Sequence, residues 1–361
     1  MALCDFDPNG PACRNSNIFG LPFSEQESAV VLLPVPWEVT VSYGAGTSRA
    51  PEHIFRASQQ IDLYDNDNPR GWEKGFFMLP LDKNVLKRSD YLRKEAELYI
   101  NFQLDEGKLE DSEFMQNGLH EVNKGGAELN HWVEQQCLRL LKAGKFIGLV
   151  GGDHSTPLGY YRALGQHYPE FGILHIDAHL DLRKCYEDFH YSHASIMYNA
   201  LEEVPQITRL VSVGTRDCCL EEIEYARGQK DRVTIFFDQD MKRRSYEGAT
   251  WQSECDRIVE ALPELVYVSF DIDGLDPKLC PHTGTPVMGG LETEQVFYLF
   301  HRILESGRRL IGFDVVEVGF SHDEYDANIG ARVIFKLCNL LVSQHAATPN
   351  QAAHPVSGHS G

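Results

Sequence analysis

Short apolar runs alternate along this chain with longer amphipathic stretches. The runs at 29–34, 145–150, 171–176, 209–213, 233–237, 265–270 and 310–316 are rich in Val, Ile, Leu and Phe and carry few polar positions. Continuous apolar character over so short a length marks strands covered on both faces. Between them, helical spacing of apolar residues predicts helices at 50–61, 119–141, about 156–166, 251–261, 292–306 and 327–342. The alternation predicts an α/β fold, a three-layer α/β/α sandwich with a mainly parallel central sheet. Residues 1–27 read as an N-terminal extension and 28–345 as the main α/β domain. Within that domain 68–118 reads as a charged insertion with a helical segment near 91–103. The stretch 346–361, rich in Ala, Pro, Gly, Ser and His, lacks core-forming periodicity and is expected to be a flexible tail.

Composition narrows the partners. With 361 residues the chain can bury a full core, and a formal net charge of −20 disfavours nucleic acid and anionic membranes as partners while suiting a cationic substrate. The nine cysteines are scattered without a Cys-x-x-Cys pair and read as reduced thiols. No apolar stretch approaches the ~20 residues that span a bilayer. The first residues lack the charged and apolar regions of a secretory signal. A cytoplasmic location is the expectation.

The chemistry concentrates where three predicted strands end. Asp177, His179 and Asp181 alternate in His-Ile-Asp-Ala-His-Leu-Asp, as do Asp271 and Asp273 in Ser-Phe-Asp-Ile-Asp-Gly-Leu-Asp-Pro. Spacing by two projects each set from one face of an extended segment. Taken alone, either pair reads as a solvated loop or a helix cap; two such sets at the carboxyl ends of buried strands point to a metal site, because open α/β sheets bind ligands there. Four carboxylates would repel one another without cations, and they balance the charge of two divalent ions. Oxygen and imidazole donors without cysteine favour Mn²⁺, Co²⁺, Ni²⁺ or catalytic Zn²⁺ over a structural zinc, with Mn²⁺ the first choice and Ni²⁺ the second. Upstream, Gly151-Gly152-Asp153-His154-Ser155 turns from a strand into a helix and offers His154 as a sixth ligand.

The ordered set of Gly-Gly-Asp-His-Ser, His-Ile-Asp-Ala-His-Leu-Asp and Ser-Phe-Asp-Ile-Asp-Gly-Leu-Asp-Pro resembles the ureohydrolases, the arginase and agmatinase superfamily. The resemblance continues through Thr283-Gly284-Thr285-Pro286 and Gly289-Gly290-Leu291 into Phe313-Asp314-Val315-Val316-Glu317, over roughly 28 to 342. It implies one metal on His154, Asp177, Asp181 and Asp271 and a second on Asp177, His179, Asp271 and Asp273, with Asp177 and Asp271 bridging. It implies a catalytic histidine after the third carboxylate, where His193 fits best and His190 competes. It gives Glu317 the task of pairing with the substrate guanidinium and Asp273 a part in moving the hydroxide proton. Thr285, Arg183, Trp37 and Thr47 are further candidate substrate contacts, with Glu38 in the same N-terminal glycine-containing loop. Read as bland structure, Arg183 is a solvated charge and Trp37 and Thr47 are packing residues.

An agmatinase-like reaction, agmatine to putrescine and urea, leads this reading. Free guanidine and short guanidino acids such as guanidinobutyrate follow. Arginine ranks lower, because Arg183 stands where arginases carry an asparagine that helps bind the amino-acid head group, and the surrounding 182–191 loop does not look like theirs. Val318-Gly319-Phe320 also replaces the more usual Val-Asn-Pro. A formimidoyl hydrolase or a noncatalytic oligomer subunit are the alternatives of a different class. The resemblance further implies a homotrimer or homohexamer.

Overall fold

A computed structural model describes residues 6–13, 16–41 and 43–344. The expected tail at 346–361 lies outside the described residues. Eight strands form one sheet: β1 (Val30–Val35), β2 (Phe76–Met78), β3 (Phe146–Gly151), β4 (Phe171–Ile176), β5 (Ile207–Thr215), β6 (Val233–Phe237), β7 (Leu265–Asp271) and β8 (Arg309–Val316). Their order is β2-β1-β3-β8-β7-β4-β5-β6, and every pairing is parallel. The expected α/β three-layer architecture is therefore present.

Alternation within the strands explains the layers. On β1, Val30 and Leu32 face one apolar cluster while Val31 and Leu33 face the other. The first cluster takes in helices α1 (Ala50–Ser58), α8 (Trp251–Ala261), α9 (Thr293–Glu305) and α10 (Tyr325–Ser343). The second takes in α2 (Lys83–Leu104), α3 (Glu113–Lys142), α4 (Leu158–His167), α5 (Ile196–Glu203) and α6 (Leu220–Gly228). The remaining helix, α7 (Asp238–Tyr246), follows β6.

Three of these helices, α5, α6 and α7, and the short edge strand β2 escape the periodicity reading. They are brief and, in α7, almost wholly polar, so too few apolar positions exist to set a period. The stretch at 68–118 supplies β2 and α2, and α2 buries Leu92, Ala96, Tyr99 and Ile100 against the core. Residues Ile18, Phe19, Leu21 and Phe23, before β1, are buried as well. No helix among the described residues is long and apolar enough to cross a membrane.

Candidate metal centre

Four neighbouring strands at the middle of the sheet, β3, β8, β7 and β4, deliver their carboxyl ends to one place. The chain reaches them out of order: β3 and β4 are consecutive in sequence yet separated by β8 and β7. Such a topological switch opens a crevice beyond the strand ends. Into it come His154 after β3, Asp177, His179 and Asp181 after β4, Asp271 and Asp273 at the end of β7, and Glu317 after β8.

The donors converge in two sets. His154 Nδ1 lies 3.1 Å from Asp177 Oδ2, 3.0 Å from Asp181 Oδ2 and 3.2 Å from Asp271 Oδ2. It is buried and directed between these oxygens, so that none accepts a well-aligned hydrogen bond from it. Next to this set, His179 Nδ1 lies 3.4 Å from Asp177 Oδ1 and 3.2 Å from Asp273 Oδ2. Asp177 thus turns one oxygen to each set. An orphaned buried nitrogen ringed by carboxylate oxygens at 3.0–3.2 Å is the arrangement of donors that share a cation at about 2.0–2.2 Å.

Proton occupancy supports the same fit. Burial, then repulsion from Asp273 and Asp177, pushes the Asp271 carboxyl well above its usual range, and Asp181 is raised by burial and Asp177. Burial opposes the charge on His154, but the surrounding Asp177, Asp181 and Asp271 outweigh it and hold the imidazole protonated. Without cations the cluster retains protons in their place, and divalent ions would displace them. The residues present therefore suit two metal ions.

Local backbone bonds orient the carboxylates. The His179 N–H donates to Asp177 Oδ1 at 2.6 Å, Ala178 N–H to Asp273 Oδ1 at 3.0 Å, and Asp273 N–H to Asp271 Oδ1 at 2.9 Å. Two candidate site residues adopt the left-handed conformation that non-glycine residues rarely take: Asp181 at φ 54 and Glu317 at φ 58. Glu317 is 5% exposed; its Oε1 accepts the His154 N–H at 2.8 Å, and its side chain lines the cavity. Burial and the nearby Asp153 raise its carboxyl well above the usual range. A cation in the cavity would restore its charge.

The cavity measures about 180 Å³ and is lined by His179, Arg183, His193, Thr285 and Glu317 among others. Thr285 Oγ1 donates to Asp273 Oδ2 at 3.4 Å. His190, the competitor of His193, is exposed; its ring meets Tyr191 rather than the cavity. Burial, followed by the positive charges of His179, His154 and Arg93, pushes the His193 pKa to about 3, leaving a neutral imidazole.

Trp37 and Thr47 lie outside the lining. The Trp37 side chain is buried in the apolar cluster over α2 and α3, and what it gives the site is its backbone carbonyl, which accepts the Asp153 N–H at 2.9 Å. A Cβ on Gly152 would meet that carbonyl oxygen at 1.7 Å, which explains the glycine. Thr47 is buried near Glu38, whose Oε2 accepts the Gly46 and Ser48 N–H groups at 2.8 and 2.9 Å. Glu38 organises its own loop.

Three supports were not picked out from sequence. His175, on β4, places Nε2 2.8 Å from Asp177 Oδ2 and Nδ1 3.2 Å from Ser212 Oγ. It stands two residues before Asp177, so extending the alternating pattern one step would have found it. Ser269 Oγ lies 2.9 Å from His154 Nε2 and donates to Asp314 Oδ1 at 3.1 Å. Arg216 spreads its guanidinium over the carbonyls of Gly214, Asp273, Gly274, Leu275 and Val287, with the shortest bond, 2.6 Å, to Asp273. It ties the end of β5 to the ligand loop after β7 and to the loop carrying Thr285. An isolated arginine after a strand gives no sequence signal of that kind.

Comparison with known proteins bears on this geometry. Residues 28–339 match the sequence model of the arginase family. An N(1)-aminopropylagmatine ureohydrolase of Thermus thermophilus is 30% identical over 322 residues, 87% of this chain and 91% of its own. A guanidinopropionase of Pseudomonas aeruginosa is 35% identical over 208 residues, 56% and 63% of the two chains. Among solved structures, the proclavaminate amidino hydrolase of Streptomyces clavuligerus superposes with a TM-score of 0.69 at 22% identity, covering 92% of this chain and 99% of its own.

Proposed function

The chain belongs to the arginase family, and we propose that its strand-end cluster holds two divalent ions and hydrolyses a small guanidino compound to urea. The convergence of His154 with Asp177, Asp181 and Asp271, beside His179 and Asp273, carries this reading. His154, Asp177, Asp181 and Asp271 would hold one ion, and Asp177, His179, Asp271 and Asp273 the other. Mn²⁺ is the first choice for this donor set and Ni²⁺ the second. Bound there, the ions would supply hydroxide near neutral pH by lowering the pKa of water.

The protein's own groups do the rest. Glu317, buried and with no ion pair to a basic side chain among the described residues, receives the planar guanidinium and fixes its carbon in the cavity. Adding water to that carbon and cleaving one C–N bond gives urea and an amine, or ammonia when the substrate has no arm. The leaving nitrogen must be protonated before the bond breaks. His193, neutral at pH 7 and at the cavity wall, takes up a proton and passes it on, and Asp273 assists from the floor.

The two named relatives share the guanidino group and differ beyond it: one name carries a cationic aminopropylagmatine, the other a propionate. Agmatine is the reference substrate of the cationic kind; free guanidine and guanidino acids form the second reading, favoured by the positive side chain of Arg183 in the cavity. The test is urea release by protein loaded separately with Mn²⁺ and Ni²⁺ and checked for two ions per chain. Release from any of these compounds is the expected result; silence from all of them, ammonia with formamide from a formimidoyl compound, or a single bound ion would sink the reading.

A further inference from the structure

One wall of the cavity carries a cation that neither metal binding nor the reaction uses. Arg183 lines the cavity beside Tyr186 and His193. Its guanidinium lies over the Tyr186 ring, 5.0 Å from the centroid. No side-chain hydrogen bond engages it among the described residues. The nearest carboxylate, Glu222, stands 3.9 Å from Nε, beyond hydrogen-bond reach. Both Glu222 oxygens are already taken, one by the Leu182 N–H at 3.0 Å and the other by the Cys219 N–H at 2.9 Å. Arg183 therefore faces the substrate space held only by a long ion pair to Glu222 and by the Tyr186 ring.

The platform under it is fixed. Tyr186 and Phe189 exchange backbone hydrogen bonds around Glu187 and Asp188, both left-handed at φ 52 and 61, the form of a tight two-residue turn. The Asp188 carboxylate accepts the Tyr99 hydroxyl at 2.6 Å and the Gln103 amide at 2.9 Å, both from α2. Stacking on a pinned ring gives the guanidinium a defined place.

The cavity lining thus mixes signs, with Arg183 as its one guanidinium among Glu317, the donor carboxylates, Asp217 and Glu222. Glu317 and the ligand carboxylates attract one guanidinium, whereas Arg183 repels a second positive charge on the same molecule. In a space of about 180 Å³ a substrate arm has little room to turn away from that wall. Resting on the urea-releasing reaction above, we infer that Arg183 selects substrate by charge. It admits guanidino compounds whose remote end is absent, neutral or a carboxylate, and it disfavours those that end in an ammonium. Like charges several ångströms apart in a partly solvated site cost roughly 10- to 100-fold in selectivity.

The experiment compares kcat/KM for guanidine, 3-guanidinopropionate and agmatine in the metal-loaded protein and in Arg183→Lys, Arg183→Gln and Arg183→Glu, with metal content measured in each. The wild type is expected to favour guanidine or guanidinopropionate over agmatine by at least about tenfold. Arg183→Lys should keep that order, Arg183→Gln should narrow it, and Arg183→Glu should shift it toward agmatine by about 100-fold. A loss confined to guanidinopropionate in Arg183→Gln would assign the cation to a substrate carboxylate; a gain confined to agmatine would assign it to exclusion alone, and both support the selector. Agmatine as the best wild-type substrate, or an order unchanged in Arg183→Gln and Arg183→Glu with metal retained, overturns it. Urea from none of the three, with two ions bound, would bring down the reaction itself, an outcome separate from urea released in the wrong order.

Discussion

The floor and the wall of this cavity are built differently. On the floor, Asp177, Asp271 and Asp273 each accept a backbone N–H from their own or a neighbouring strand end, and Arg216 binds the carbonyls behind them. The wall is one excursion of chain, 182–191, whose Arg183 and Tyr186 meet the cavity and whose Asp188 is anchored from outside the sheet by α2. Floor geometry belongs to the parallel sheet and is shared by every strand that reaches it. Wall geometry depends on a turn and a few side-chain bonds. On the reading proposed above, the hydrolytic chemistry sits on the sheet and the discrimination on a separate loop.

Substitutions on the floor should strike metal and rate together. Asp271→Asn removes a carboxylate that faces His154 Nδ1 and accepts the Asp273 N–H, and the expected result is loss of bound metal with turnover down by roughly 10³-fold or more, since nucleophile generation and charge stabilisation fail at once. Metal analysis beside urea release checks it; full metal content with normal rate would show that the two sets are not a joint site. His193→Ala tests the border between the regions. It should keep its metal while kcat falls about 10²- to 10⁴-fold, the usual worth of a positioned proton carrier. His190→Ala should stay near wild type. The reverse pattern would move the proton relay to His190.

Arg216→Met reaches the floor from behind. Removing a cation shared among five carbonyls frees the loops that carry Asp273 and Thr285. Metal affinity should fall about 10- to 100-fold, as for other groups that orient ligands, with kcat restored at saturating metal. A titration of activity against Mn²⁺ separates this from a catalytic loss; an unchanged titration would make Arg216 dispensable to the floor.

The same contrast governs what could be read from sequence. The candidate ligands Asp177, His179, Asp181, Asp271 and Asp273 are announced by residue type and spacing, because alternation along an extended segment translates directly into one face, whereas His154 is announced by a glycine turn. His193 and Glu317 needed family resemblance to be singled out, and the structure brings both to the cavity. Trp37 and Thr47 were placed near the cavity because their loop borders it; yet a loop can border a site while its side chains face the core, and spacing cannot tell which. His175 and Arg216 went unread for different reasons. A histidine within a strand looks like core, and the carbonyls that Arg216 gathers lie up to 71 residues away in the chain. In the fold, long amphipathic helices were legible, whereas α5, α6, α7 and β2 were too short for periodicity to register.

The smallest expected effect bears most directly on the wall. The stretch at 68–118 reads from sequence as charged insertion, yet Tyr99, carried on its helix α2, donates to Asp188 at 2.6 Å, and Gln103 from the same helix donates to the same oxygen at 2.9 Å. Tyr99→Phe deletes the hydrogen bond to the Asp188 carboxylate and the one the hydroxyl accepts from Gln103 at 3.2 Å, and leaves the ring packed against Phe189, 5.6 Å between centroids. Because Gln103 still holds Asp188, the turn should loosen without opening. The expected change is a rise in KM of about two- to fivefold, below the roughly 1.5–3 kcal/mol of a hydrogen bond to a charged group because Gln103 keeps its own bond to Asp188. Metal content and kcat should not move. A matching fall in kcat or metal would mean that the turn also braces the strand-end ligands through Asp181 and Leu182, and the division between a hydrolytic floor and a discriminating wall would fail at that point.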